Sequence, residues 1–283
     1  MPITTLENMD TRRLGRTAAI LAAISCALAA QAQTPVTACG TAIANPGDYY
    51  LDADLSCTGK AVTILSSNVS LRLNGHTITS LTPNNDPAIQ AGTGATRFHH
   101  ISISGPGLIN GSEPSRFGFG VLMMEIDHGQ ISRLAINRSN IWAIQCRGCA
   151  STNILQNVVG RGNAGISLSA STSCLISGNE SSGNVSNGIL VNEGTGNSVF
   201  FNWTSGNGVA GISLSGASGT RVTGNTSNAN RQGILVIGGG NQITGNGSVR
   251  ANDVYDLVDL SPTCAGNTWR NNNFITRSAG CIH

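Results

Sequence analysis

Asn184-Val185-Ser186-Asn187-Gly188-Ile189-Leu190-Val191 is answered further along the chain by Asn207-Gly208-Val209-Ala210-Gly211-Ile212-Ser213-Leu214. The Gly-Ile step of these two stretches also occurs at Gly165-Ile166 and Gly233-Ile234, at nearly even spacing. The same register runs back through Ile144 and Val121 and forward to Leu257. A second column holds Asn157, Asn179, Asn202, Asn225 and Asn246. A third holds Asn140, Asn163, Asn184, Asn207, Asn230 and Asn252. Three columns on one beat establish an internal repeat, and a fixed period of this size, roughly 22–23 residues, is the mark of a solenoid.

The period also selects the kind of solenoid. Within each repeat, short runs such as Ile166-Ser167-Leu168 and Leu175-Ile176-Ser177 alternate apolar and polar residues, which is the strand pattern. No repeat leaves room for a helix, and the leucine framework of leucine-rich repeats is absent. What remains is a coil of short strands stacked on the next coil at the inter-strand distance of about 4.8 Å. Ile166, Leu168, Ile189, Val191, Ile212, Leu214, Ile234 and Val236 are expected to point inward as aliphatic columns. The Asn columns fall where strands turn. Asn tolerates left-handed backbone conformations, and stacked Asn amides hydrogen-bond from coil to coil.

Composition agrees. Charged residues make up 11% of the 283 residues and aromatics 4%, with 36 glycines, a profile of many short strands and tight turns rather than of helices. The net charge of +2 provides no basic stripe, which argues against nucleic acid as a partner. Residues 1–32 have the form of a secretory signal: Arg12, Arg13 and Arg16, then an apolar run from Thr17 to Ala30, then Ala30-Gln31-Ala32 as cleavage site. Thr11-Arg12-Arg13 hints at twin-arginine export, but ordinary Sec export is the expectation. The chain from residue 33 is therefore expected to be secreted or periplasmic, with no membrane contact after signal removal. Residues 33–283 are expected to form one domain, capped by 33–70 and 256–283.

Export permits disulfides, and seven cysteines follow residue 32. Cys39–Cys57 and Cys264–Cys281 are expected as staples at the two ends, each worth about 3 kcal/mol in the chain-entropy model. Among Cys146, Cys149 and Cys174, a bond from Cys174 to one of the other two is expected, leaving one thiol. Residues 85–99 and 111–119 are expected to project as loops.

Three pieces of the chain carry a family resemblance. They are the opening Pro46-Gly47-Asp48-Tyr49-Tyr50-Leu51 to Asn74-Gly75-His76, the Gly-Ile/Asn repeats, and the closing Cys264-Ala265-Gly266-Asn267-Thr268-Trp269-Arg270-Asn271-Asn272-Asn273-Phe274. Together they resemble bacterial right-handed parallel β-helix repeat proteins of the pectate-lyase-like superfamily. The resemblance implies an all-β, right-handed parallel β-helix. It leaves the activity open, since that superfamily holds lyases, hydrolases, epimerases and proteins without a reaction.

Glycoside hydrolysis needs two carboxylates flanking the bond. Uronate lyases and epimerases need a base and a cation to stabilise the carbanion-like intermediate. Between Asn137 and Asn252 the only acidic residues are Glu180 and Glu193, so no carboxylate pair recurs at one-coil spacing. The densest polar group is Arg116, Glu125, Asp127 and His128, with Arg147 one coil further on. A His beside an Asp and near Arg is suited to proton transfer on an acidic sugar. The competing reading is a solvated turn. Asp253, Asp256 and Asp259 are expected to serve the end cap, and His99-His100 to lie in a surface loop. No cofactor is expected, calcium being the one ion left open.

Two functions follow. One is a carbohydrate-active lyase or epimerase acting on acidic polysaccharide, and the other a non-catalytic glycan-binding or structural β-helix. A third, a periplasmic metal-delivery protein of the NosD-like type, shares the Asn-rich coils, but the scarcity of Met, His and acidic columns weighs against it.

Overall fold

The computed structural model describes residues 33–247 and 249–283; the expected signal segment, 1–32, lies outside them. All three large sheets are parallel, with eleven, ten and eight strands. Successive strands of the chain visit the sheets in turn, which is the path of a β-helix. In the ten-stranded sheet Val121, Ile144, Ile166, Ile189, Ile212, Ile234 and Leu257 pair in one continuous row, in the register expected from the Gly-Ile repeat. The row continues backwards through Ile89 and Val62. All of these side chains are fully buried, each contributing roughly 1.5–3 kcal/mol of transfer free energy.

Why glycine precedes the isoleucine is visible at Gly211. A Cβ there would meet Ser227 Oγ, Thr204 Oγ1 and Asn230 Nδ2, because the eight- and ten-stranded sheets converge at this corner. The inward column of the eight-stranded sheet is Ile78, Ile109, Ile136 and Val159, but it then turns polar at Ser181, Thr204 and Ser227. These hydroxyls need partners once buried. Ser181 donates to the Gly188 carbonyl at 2.7 Å and Ser227 to that of Gly233 at 2.9 Å.

The second Asn column is an amide ladder. Asn179, Asn202 and Asn225 each donate through Nδ2 to Oδ1 of the Asn on the following coil at 3.0 Å, and Asn157 does so to Asn179 at 2.9 Å. Asn184, Asn207, Asn230 and Asn252 form a second ladder. Asn140 and Asn163 stand one residue outside it: the ladder position on the coil before Asn184 is Gly162, whose amide donates to Asn184 Oδ1. Ladder positions are 22 residues apart from Gly162 to Asn184 and 23 from Asn184 to Asn207, whereas Asn163 stands only 21 residues before Asn184. Asn197, Asn241 and Asn267 belong to a further column, with Asn241 donating to Asn267 Oδ1 at 3.2 Å.

Residues 33–70 already contribute strands to all three sheets, from Thr34–Val36 onward. The expected loop at 85–99 is shorter than its composition suggests. Pro87–Ala91 is a buried strand of the ten-stranded sheet and Phe98–His99 pairs with Ile126–Asp127, leaving 92–97 irregular. Disulfides join Cys39 to Cys57 and Cys264 to Cys281, with Cα separations of 5.7 and 6.4 Å. Cys146, Cys149 and Cys174, by contrast, are all free and buried, against the expected bond to Cys174. Cys146 stacks inward in the column of Met123 and Leu168, whereas Cys174 sits at the following corner with its Sγ 3.6 Å from the Cys149 carbonyl. At the C-terminal end, Asp256 and Asp259 are buried and satisfied. Asp256 Oδ2 accepts from the amides of Ile275 and Thr276 at 2.9 Å, and Asp259 Oδ2 accepts from Trp269 Nε1 at 2.8 Å. Asp253 is exposed.

Candidate functional site

Where the chain leaves the ten-stranded sheet, Arg97-Phe98-His99-His100 lies alongside Glu125-Ile126-Asp127-His128 on the next coil. Backbone bonds from Phe98 N to Glu125 O and from His100 N to Asp127 O, both 3.0 Å, hold the two tetrapeptides in step. Every outward residue then meets a partner. Arg97 Nη2 is 2.5 Å from Glu125 Oε2. His99 Nδ1 is 3.4 Å from Asp127 Oδ2, and His128 Nδ1 is 3.1 Å from Asp127 Oδ1. The His100 and His128 rings stack at 5.4 Å with 17° between their planes. His100, Glu125 and His128 all have positive φ, between 53° and 55°. This left-handed conformation turns the corner and costs a non-glycine residue energy that the surrounding sheet must supply.

Asp127 is thus a carboxylate between two imidazoles. Desolvation alone would raise its pKa, but the charge and hydrogen bond of His128, with those of His99, hold it below the ordinary aspartate value. An imidazole that donates Nδ1–H to this carboxylate keeps Nε2 as a free acceptor. His99 and His128 are about half exposed, so both rings remain open to a substrate.

Beside this cluster is a cleft of about 420 Å³ lined by Thr93, Gly94, Ala95, Met124, Glu125 and Arg147. Gly148, the counterpart of Glu125 one coil on, leaves the space its carboxylate fills, since a Cβ there would collide with Glu125 Oε1. With Glu125 engaged by Arg97, Arg147 has the Gln145 amide oxygen at 3.3 Å and no ion-pair partner among the described residues.

Of the five residues proposed from sequence, Glu125, Asp127, His128 and Arg147 fall in this region, but Asp127 and His128 lie outside the cleft lining. Arg116 is not brought there. It precedes strand Phe119–Met124, whereas the cluster follows that strand, a separation of roughly 20 Å at 3.3 Å per residue. Arg116 pairs with Glu113. Sequence reading places His99 and His100 in a loop and gives Arg97 no partner, because these residues precede their partners by more than one regular repeat. The residues around 111–118 add the excess. The complementarity of the two tetrapeptides was the available signal.

Among the described residues, no three His, Cys, Asp or Glu side chains converge as a metal ion requires. The cluster spends both Asp127 oxygens on imidazoles and stacks two of its rings rather than turning them towards a common point.

Solved structures share the fold. DFA-IIIase from Arthrobacter chlorophenolicus A6 without its lid aligns over 75% of this chain and 59% of its own, at 14% identity and a TM-score of 0.55. In complex with DFA-III the same protein aligns over 84% and 66%, at 14% identity and 0.52. PfbA, a surface adhesin of Streptococcus pneumoniae, aligns over 80% and 72%, at 12% identity and 0.56. At such identities the likeness is one of fold. The chain spans about 59% of the length of DFA-IIIase without its lid. No curated protein matches it.

The family model described as periplasmic copper-binding protein (NosD) matches residues 101–280. Among the described residues the donors do not converge as a copper ion requires. The soft ligands are the thiols of Cys146, Cys149 and Cys174, enclosed in the core, and the thioether of Met124, the one soft donor of the cleft lining. The hydrogen bond with Cys149 and burial push the Cys146 thiol well up, and burial pushes Cys174 up to about 12. It is the thiolate that ligates, and Met123 beside them is fully buried as packing. The third of the readings drawn from sequence, which the scarcity of Met, His and acidic columns weighed against, names this family. The match covers more than half of the chain, and the protein belongs to the periplasmic copper-binding protein (NosD) family of right-handed β-helices.

Proposed function

We propose that this protein acts on an acidic polysaccharide by proton transfer at the His99–Asp127–His128 cluster. The observation that carries the reading is Asp127 held between two imidazole Nδ1 atoms, which orients two half-exposed rings for acid–base work. Arg147 in the adjoining cleft receives the uronate carboxylate and stabilises the charge that develops when the neighbouring C–H proton is removed. In a lyase step one Nε2 takes that proton and the electron pair forms the carbon–carbon double bond. The glycosidic oxygen then departs and is protonated by solvent or the second imidazolium. In an epimerase step the proton returns to the opposite face.

The test is incubation of the protein from residue 33 with pectate, alginate and glucuronan, following the ultraviolet absorbance of the unsaturated product and, by NMR, the stereochemistry of recovered polymer. D127N is expected to lower turnover at least about 100-fold, the usual contribution of an acid–base group. Absence of both products with every substrate would overturn the catalytic reading.

A second reading, non-catalytic glycan binding, is favoured by one observation: Asp127 and His128 stand outside the cleft lining. Under it the same polymers bind and remain intact.

A further inference from the structure

The outer face of the eight-stranded sheet carries a different group, remote from the histidines. Asn110, Asn137, Gly160, Ser182, Ser205 and Asn228 follow one another coil by coil in strict register. The row is uncharged, able to hydrogen-bond at every position but one, and interrupted by glycine at its middle. At that point lies a groove of about 250 Å³ lined by Asn137, Val158, Gly160, Arg161, Glu180 and Ser182. In the adjacent outer row Val158, Glu180 and Trp203 succeed one another, with Val158 half exposed and Trp203 47% exposed.

One arginine, Arg161, lines this groove, and a second, Arg138, follows the lining residue Asn137 one coil back. Arg138 and Arg161 occupy equivalent positions on consecutive coils, both at φ 58°, with Arg138 N bonded to Gly160 O and Arg161 N to Ser182 O. Their backbones are therefore about 4.8 Å apart. Neither has an ion-pair partner among the described residues. Glu180, the one acid of the groove, has Ser182 Oγ at 3.4 Å and stands beside Trp203 rather than paired with Arg161. Like charges at neighbouring positions of a sheet repel, and an anion between them removes the penalty.

We propose that this face is a binding site for an anionic oligosaccharide, separate from the histidine cluster. Arg138 and Arg161 hold a carboxylate with Asn137 beside them, Trp203 supplies a stacking surface for a sugar ring two coils beyond Arg161, and Ser182 and Glu180 bond the hydroxyls between. An indole platform, a row of hydroxyls and amides, and a doubled cation together match a uronate chain. A nucleic acid would need many more cations, and the sheet has no others in this row.

Calorimetric titration of the protein from residue 33 with trigalacturonate, and with maltotriose as neutral control, tests the assignment. Trigalacturonate is expected to bind with an affinity that falls as salt rises. R161Q and R138Q are each expected to weaken it roughly tenfold while leaving the melting temperature unchanged. W203A is expected to weaken binding of both sugars, and W203F to restore much of it. The H99Q/H128Q double variant is expected to bind trigalacturonate here as the unaltered protein does, which separates this site from the proposed catalytic one. Absence of saturable binding would overturn the proposal. So would binding that survives R161Q and W203A but is lost in H99Q/H128Q.

Discussion

Replacing Asn202 by alanine tests whether the amide ladder holds the coils together or merely decorates a turn. Asn202 is 2% exposed. Its Nδ2 donates to the carbonyls of Ile176 at 3.0 Å and Phe200 at 3.1 Å and to Asn225 Oδ1 at 3.0 Å. Its Oδ1 accepts from Asn179 N at 2.9 Å and Asn179 Nδ2 at 3.0 Å. Alanine removes all five bonds, but their costs differ. Asn179 Nδ2 keeps the Ile154 and Ser177 carbonyls, and Asn225 Oδ1 keeps the backbone amide of residue 202. Phe200 O keeps the Gly178 amide at 3.2 Å, so the groups that lose their side-chain partner in a dry interior are the Asn179 amide and the Ile176 carbonyl. At about 1–3 kcal/mol for an unsatisfied buried group, the two groups together come to roughly 2–6 kcal/mol. That is a large part of the ~5–15 kcal/mol that holds a typical domain. Urea unfolding followed by circular dichroism gives the difference from the midpoint at constant m. Ser205→Ala, on the outer face of the neighbouring strand, is the control and is expected to stay within about 0.5 kcal/mol. A loss below about 1 kcal/mol for Asn202→Ala would show that water or backbone movement satisfies these groups, and the ladder argument would fall.

Gly211→Ala places a methyl group against Ser227, Thr204 and Asn230, and is expected to cost about 1–3 kcal/mol by overpacking, again measured in urea. Paired with Ser227→Ala the loss should shrink, since one of the colliding oxygens is gone. The C-terminal cap should be acid-sensitive. Burial would raise the Asp256 pKa, but the Asn252 side chain and the amides of Thr276, Ile275 and Asn252 together lower it in the folded protein. Its contribution is therefore complete above the unfolded value of about 3.9 and is lost as pH falls through the lower folded value. Melting curves below about pH 4 should show this acid limb, flattened in D256N; an unchanged limb would exclude Asp256 as its source. One equivalent of Cu(I) is expected to leave the melting temperature unmoved, for want of a convergent donor set among the described residues. One tightly retained copper per chain, lost when Cys146, Cys149 and Cys174 become serine, would show that the core opens to the metal.

The regular half of the molecule was legible because each coil repeats one set of constraints. Ile166, Ile189, Ile212 and Ile234 must all face the same narrow interior, so their spacing records the geometry directly. The glycine before each was readable as a landmark but not as a cause. Its reason is a neighbour on another sheet, Ser227 in the case of Gly211, and no local pattern connects the two. Asn163 shows the same limit on a smaller scale, since it falls just outside a ladder in which spacing alone includes it.

The functional region was half legible for a related reason. The interior of the coils admits no unpaired charge, and most charged side chains of the described residues stand where the chain turns a corner. Glu125, Asp127 and His128 stand out because charge is scarce elsewhere. Their partners Arg97, His99 and His100 sit across an interruption that stretches the repeat beyond its regular period, so the register does not connect them. Arg116 enters the sequence-based group only because it is close along the chain. Distance along the chain misleads most where loops interrupt the coils. Such interruptions are also the places where a β-helix can seat unlike residues side by side, since regular stacking sets equivalent positions against one another. The pairing of Arg97 with Glu125, and of His99 with Asp127, therefore depends on the interruption that concealed it.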